Sequence, residues 1–258
     1  MMNTIGIVGY GHYGKLLHEL IRRFALWINV VIYDENVEPD GRIFFTLKEI
    51  AACDAIILAV PRHSLESVLQ DLLLQSNLRK ETVLVEVCTS KTKPGALLEK
   101  YGHEHPCISL HTPWGPEGYN NVGGDMSRLP PIIVAKETLP HGWYEQLTIF
   151  LAAAPRRIEV VKLSAIEHDK IIVGRMMYVT HLTSQIMNGM GLLAHDPFDR
   201  IAPLSYQDLK RGALAVRGDV GIFLDVWLDE PECQRTFESF VAQVHRLEAM
   251  KKERASGK

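Results

Sequence analysis

Short apolar or β-branched runs alternate with helix-periodic segments through the first half of the chain, at residues 4–8, 14–24, 29–33, 47–52, 55–60, 65–74 and 82–87. The runs have strand length, whereas the segments between them place apolar residues three and four apart, as Leu16, Leu17, Leu20, Ile21 and Phe24 show. This alternation predicts βαβ units and a parallel sheet covered by helices. Runs at residues 107–110, 131–135 and 157–161 add strands, with a helix at 142–153. The stretch from Thr112 to Pro131 is rich in Pro, Gly, Asn and aromatics, too polar for a core element, and reads as a functional loop.

From Ser164 the pattern changes. Ser164 suits a helix N-cap with Glu167 at N3, and 171–193 follows with few breakers, so the last third reads as helical. The expected architecture is α/β: an N-terminal Rossmann-like parallel-sheet domain, 1–162, followed by an all-helical domain, 163–258.

Composition narrows the setting. Of 258 residues, 47% are hydrophobic and 23% charged, and the formal charge of -3 makes no field that would draw nucleic acid or an anionic membrane. The basic cluster Lys251-Lys252-Glu253-Arg254 is expected to fray in solvent. Four widely spaced cysteines, Cys53, Cys88, Cys107 and Cys233, form no zinc or disulfide pattern and fit a reducing cytoplasm. No stretch reaches membrane-spanning length, and the eleven histidines give no metal triad.

The first site lies at IGIVGYGHYGK, residues 5–15. Gly9, Gly11 and Gly14 follow a strand and open a helix, and a second strand ends in Asp34, twenty residues beyond Gly14. That context fits a dinucleotide cradle. Gly9 makes the tight turn, Gly11 admits the pyrophosphate, and Gly14 lets the helix approach the strand, with Tyr10, His12 and Tyr13 completing the loop. Asp34 accepts hydrogen bonds from the adenosine ribose and repels a 2′-phosphate, favouring NAD over NADP. A purely structural turn, with Asp34 as a solvated strand end, is the alternative.

The chemistry is sought at the carboxyl ends of later strands. Those ends carry Val60 and Pro61, then Glu86-Val-Cys-Thr-Ser-Lys91, then His111-Thr-Pro-Trp114. His111 is the leading general base, since a neutral imidazole can take a hydroxyl proton near neutral pH. Thr89 is placed to orient it or bond substrate, Lys91 to bond a carboxylate or the cofactor ribose, and Trp114 to face the substrate. Each also has a plainer reading as a strand-end, capping or surface residue. In the helical part, Arg175 and the pair Lys210-Arg211 are candidate carboxylate clamps, although surface ion pairing is the commoner role. His168 and His181, thirteen residues apart, are expected to share a helix face. Met176, Met177, Met187 and Met190 read as packing residues.

These motifs together resemble the prephenate and arogenate dehydrogenases of tyrosine biosynthesis. The glycine loop with Asp34 resembles that family's dinucleotide loop, and Asp54-Ala-Ile-Ile-Leu-Ala-Val-Pro61 its strand ending in A-V-P. Glu86–Lys91 is similar to a D-V-x-S-V-K motif, HTPWGPEG at 111–118 to H-P-M-F-G-P-E, and Glu167-His-Asp-Lys170 with Thr180-His181 to an E-H-D…T-H pair. The resemblance implies a homodimer formed through the helical domain, an active site between the domains, and NAD(P)-dependent oxidative decarboxylation of arogenate or prephenate. It implies His111 as catalytic base, Thr89 as its orienter, His181 by the substrate and His168 near the domain junction.

The chain also departs from the pattern. Thr89 replaces Ser, Glu86 replaces Asp, and Thr112 follows the histidine where proline is usual; Lys210-Arg211 stands where an R-D-x-T-R motif is expected. The 167–181 stretch is most similar to the arogenate-type enzymes. Two other readings fit the same plan: a different Rossmann reductase, of β-hydroxyacid dehydrogenase or imine reductase type, and a catalytically silent NAD-binding module.

Overall fold

The computed structural model describes residues 2–75, 77–139, 159–218 and 220–255. The chain divides into two compact units, Met1–Ile166 and Glu167–Lys258.

The first unit is built on a seven-stranded sheet: β1 (Thr4–Val8), β2 (Asn29–Tyr33), β3 (Ala55–Leu58), β4 (Val83–Glu86), β5 (Cys107–His111), β6 (Ile132–Glu137) and β7 (Val160–Lys162). Their order is β2-β1-β3-β4-β5-β6-β7. All neighbours run parallel except β5 and β6, which pair antiparallel with an irregularity between Ser109 and Leu110. A single bridge from Phe44 to Ile32 extends the sheet beyond β2. The unit is a Rossmann-like α/β domain. Between strands run α1 (His12–Phe24), α2 (Leu47–Ile50), α3 (Leu65–Leu73), α4 (Thr92–Tyr101) and α5 (Pro116–Asn121).

Both sheet faces are covered, which is why the central strands are almost uniformly apolar rather than alternating. One core gathers Ile50, Ile56, Leu58, Leu65, Leu69, Leu84 and Leu98, and the other Ile5, Ile7, Ile21, Ile32, Val83 and Ile108. The start of β1 is pinned by Asp54, whose carboxylate accepts from Asn3 N (2.8 Å), Thr4 N (2.9 Å) and Arg79 Nη2 (2.7 Å). Partial burial raises that carboxyl's pKa, but these donors outweigh burial and hold it down at about 2. A depressed carboxyl stabilises the fold above the unfolded pKa of about 3.9 and loses that contribution as pH falls. Acid unfolding followed by circular dichroism is therefore expected to retain a component between about pH 4 and pH 2 that Asp54→Asn removes.

One expectation changes here. The 112–131 stretch is not an open loop: α5 and a 3₁₀ turn, Met126–Arg128, lie within it, and Trp114, Tyr119, Met126 and Ile132 form a third core with Leu16 and Leu20 of α1. Aromatic and methionine side chains scattered among polar residues supplied the burial, a pattern no short-period reading detects. The helix expected at 142–153 lies outside the described residues, as does the first part of the strand expected at 157–161.

The second unit begins within α6 (Ala165–His168), which leads into a π-helical stretch, Asp169–Met177, and then α7 (Tyr178–Gly189). The helices α8 (Leu204–Ala215), α9 (Val220–Asp229) and α10 (Pro231–Ala255) complete it. The basic cluster at 251–254 continues α10 rather than fraying. Thirteen residues of α-helix make about 3.6 turns, which would leave His168 and His181 on different sides. The π stretch corrects the phase: His168, Val173 and Tyr178 are buried at the five-residue spacing of an i→i+5 helix, and His181, Ser184 and Met187 continue the buried stripe. Of the methionines, Met187 is buried and packs with Leu193 and Ala213, whereas Met176 and Met190 are exposed.

Candidate active site

The strand order reverses direction at β1: β2 lies on one side and β3 on the other. In a doubly wound sheet the crevice outside the carboxyl ends of such strands receives the ligand. The glycines meet there. Gly9 follows β1 at φ +95°, and a Cβ on it would lie 2.5 Å from the carbonyl oxygen of Ala59 and 3.1 Å from Val60 Cγ1. A Cβ on Gly14 would lie 2.1 Å from the Gly9 carbonyl oxygen, so α1 starts closer to the turn than any side chain allows. Gly11, the N-cap, has open space where a Cβ would project, and no side chain caps the helix. The first-turn amides of α1 are thus left for a ligand, the arrangement that binds pyrophosphate. His12 is exposed at this first turn, and Pro61 is exposed where Arg62–Ser64 turns away from β3.

Asp34, one residue beyond β2, accepts the Tyr10 amide at 2.7 Å and the Asn36 amide at 3.0 Å. Partial burial raises its pKa, but hydrogen bonds from Tyr10 and Asn36, with the nearby charge of Lys15, bring it below the ordinary carboxylate value. The group is therefore an anion at neutral pH, fixed to the glycine turn. Tyr10 itself turns its ring edge-on to Phe44 at 5.3 Å and meets His18 Nδ1 through its hydroxyl at 3.0 Å.

His111 is the last residue of β5 and is buried. The β4–β5 register pairs Glu86 with Ser109, so Thr89 and His111 lie three and two residues further along adjacent strand ends. Thr89 is half-buried there. The sheet therefore delivers the glycine turn, Val60, Thr89 and His111 to one edge.

Lys91 does something other than bond a ligand at the surface. It is fully buried, and its ammonium lies 2.6 Å from Glu86 Oε1 and 2.8 Å from the carbonyl oxygen of Leu110. Glu86 is fully buried too and accepts from Ser109 Oγ and from the Cys88 amide (2.7 Å). The pair lies beneath the strand end that carries His111, and the ammonium is not exposed at the surface where a ribose or substrate carboxylate would meet it. The Glu-x₄-Lys spacing was the available signal, but no sequence pattern reports burial. Trp114 is likewise buried, donating from Nε1 to the Pro130 carbonyl oxygen at 3.2 Å and packing in the α1 layer rather than facing a substrate. Arg62, not singled out from sequence, donates to Ser90 Oγ at 3.2 Å across the β3 and β4 ends.

The remaining expected residues lie in the second unit. His168 Nδ1 is 2.8 Å from Asp169 Oδ1, both buried. His181 Nδ1 meets the Met177 carbonyl oxygen at 2.8 Å, and its ring lies parallel to Phe223 with centroids 6.0 Å apart. Lys210 is held inside the unit by Asp199 (2.8 and 3.0 Å) and the Ala194 carbonyl oxygen (2.7 Å), so its ammonium anchors the 194–199 segment. Arg211 and Arg175 are exposed and pair with Asp208 and Glu232 respectively. Among the described residues no group of three or more His, Cys, Asp or Glu is placed to hold a metal ion, and no described helix is long and apolar enough to cross a membrane.

The prephenate dehydrogenase of Aquifex aeolicus superposes with a TM-score of 0.72, covering 99% of this chain and 94% of that one at 16% identity. The fold is shared with the prephenate and arogenate dehydrogenases. A second structure of prephenate dehydrogenase from A. aeolicus, in complex with hydroxyphenyl propionate and NAD+, gives 0.71 over 99% and 93% of the two chains at 14% identity. The Synechocystis arogenate dehydrogenase gives 0.53 over 98% of both at 15% identity. No family model matches the sequence, and no curated protein is similar to it by sequence.

Proposed function

We propose that this protein is an NAD-dependent dehydrogenase that oxidatively decarboxylates arogenate or prephenate. The observation that carries the reading is the arrival of His111 at the same carboxyl edge of the sheet as the Gly9–Gly14 turn and its Asp34 anchor. The shared fold with dehydrogenases of these substrates supports it.

The residues present fit the cofactor. Gly9 and Gly14 make a cradle that any Cβ would fill, the first-turn amides of α1 face the pyrophosphate, and Asp34 accepts the ribose hydroxyls. When bound, the nicotinamide supplies the hydride acceptor. His111 takes the proton of the ring C4 hydroxyl as that carbon is oxidised. The resulting dienone-like ring draws the electrons of the breaking C1–carboxylate bond, so CO2 leaves and the ring becomes aromatic. Thr89, one strand away, retains the hydroxyl that would orient the imidazole. His181 and His168 are assigned to substrate binding in the helical part, 163–258, and the sheet part, 1–162, to the cofactor.

The helical unit leaves Ile201, Leu204 and Leu228 more than two-thirds exposed and Met176 and Met190 more than half exposed, and these unburied apolar side chains support homodimerisation. The four free cysteines are all buried, which supports a reducing, cytoplasmic setting.

Reduced-nicotinamide absorbance measured with arogenate and prephenate, each with NAD and NADP, tests the function. Turnover with one of the substrates is expected, and silence in all four combinations would sink it; NAD binding without turnover would instead favour a silent binding module. Asp34→Ala is expected to lower kcat/KM with NAD by about tenfold, the scale of one hydrogen bond to a charged group, and to improve NADP relative to NAD. An unchanged ratio of the two cofactors would remove Asp34 from the ribose.

A further inference from the structure

Helix α1 presents two faces. Ile21 and Leu17 pack toward the sheet, whereas Tyr13, Leu16, Leu20 and Arg23 form a second stripe at i, i+3, i+7 and i+10. That second stripe grips the segment following His111 along its length. Leu16 and Leu20 pack with Trp114 and Tyr119, and Arg23 Nη1 donates to the Tyr119 hydroxyl at 2.9 Å. At the end nearest the glycine turn, the Tyr13 hydroxyl lies 2.5 Å from Thr112 Oγ1. Thr112 Oγ1 also lies 3.3 Å from the Trp114 carbonyl oxygen, to which only the hydroxyl can donate. The proton order follows: Tyr13 donates to Thr112, and Thr112 donates to Trp114. Burial pushes the Tyr13 phenol up to about 12, against the lowering effect of its bond to Thr112, so it remains a neutral donor across the working range.

We propose that Tyr13 and Thr112 are a positioning pair for His111, their hydrogen bond tying the first turn of the dinucleotide helix to the residue beside the imidazole. The inference rests on the reading of His111 as the base and adds what sets the spacing between the base and the cofactor cradle. Thr112 stands where a proline would offer no hydroxyl, so the departure from the H-P pattern supplies the tie. The two residues are 99 apart in sequence, and the bond joins the first turn of α1 to the residue that follows β5. A misplacement of about 1 Å can cost about 10²-fold in rate, which is why a tie at this point matters.

The test uses the full chain with Tyr13→Phe, Thr112→Val, their combination and Thr112→Ser. With the substrate that the wild type turns over, each single variant is expected to lower kcat by about tenfold while the NAD dissociation constant stays within about twofold. The double variant should be no slower than either single one, and Thr112→Ser should restore kcat, because it keeps the hydroxyl. A second readout needs no turnover: the His111 ring signals in NMR, assigned by their loss in His111→Asn, should shift in Tyr13→Phe and Thr112→Val but not in Thr112→Ser. Multiplying losses in the double variant, or unmoved ring signals, would overturn the pairing. Absence of wild-type turnover would overturn the proposed reaction instead, leaving the ring signals to decide this point.

Discussion

Replacing His111 with asparagine is expected to lower kcat by about 10²–10⁴-fold, the range contributed by a positioned general base, while NAD binds nearly as before. The reason for the split is spatial. In the proposed reading the Gly9–Gly14 turn and Asp34 hold the cofactor, whereas His111, the terminal residue of β5, takes part only in proton transfer. Asparagine keeps a polar side chain of similar reach on a buried strand end, so the fold should survive, and calorimetry with NAD would check this directly. Equal losses in kcat/KM and kcat would place the lost interaction in the transition state. A variant that turned over at the wild-type rate would remove His111 from the base role.

Lys91→Met is expected to be the most destabilising single substitution considered. Glu86 and Lys91 are both fully buried, and removing the ammonium strands a carboxylate that still accepts from Ser109 and Cys88. Breaking one partner of such a pair costs about 3–5 kcal/mol, or roughly 10 °C in Tm for a domain of this size. The double change Glu86→Leu with Lys91→Met should recover most of the loss, since apolar side chains of similar volume often replace a buried pair at little cost. Thermal melts of the three proteins decide it. A loss below about 1 kcal/mol for Lys91→Met would mean that the ammonium is not buried as described. Recovery of Tm without recovery of kcat would show that the pair, through Leu110, also holds the strand end bearing His111.

Much of the first unit could be read from local pattern. The strands at 4–8 and 29–33 have the expected bounds, and β3 and β4 fall within their expected runs, because a sheet buried on both faces demands continuous apolar runs. The glycine turn was legible because its requirement is written in backbone terms: Gly9 needs positive φ, and Gly14 meets a carbonyl oxygen where any other residue carries a Cβ. The strand end at His111 was legible for the same reason, a change from apolar run to turn residues.

What the sequence determined by itself, then, is the succession of elements and the local chemistry each strand end offers. Which of those groups face outward was settled only by tertiary packing. Lys91 and Trp114 carry the right chemistry for a ligand but are enclosed, one by Glu86 and Leu110, the other by Leu16 and Leu20 of a helix some hundred residues away. Tyr13 belongs to the dinucleotide loop by position yet spends its hydroxyl on Thr112. In the helical unit, a π stretch shifted the phase of the buried positions that follow His168 along the same helix, up to Met187. Periodicity records neighbours along one element, whereas burial, ion pairing and helix phase depend on what the chain brings alongside it, and that information exists only after the elements have packed.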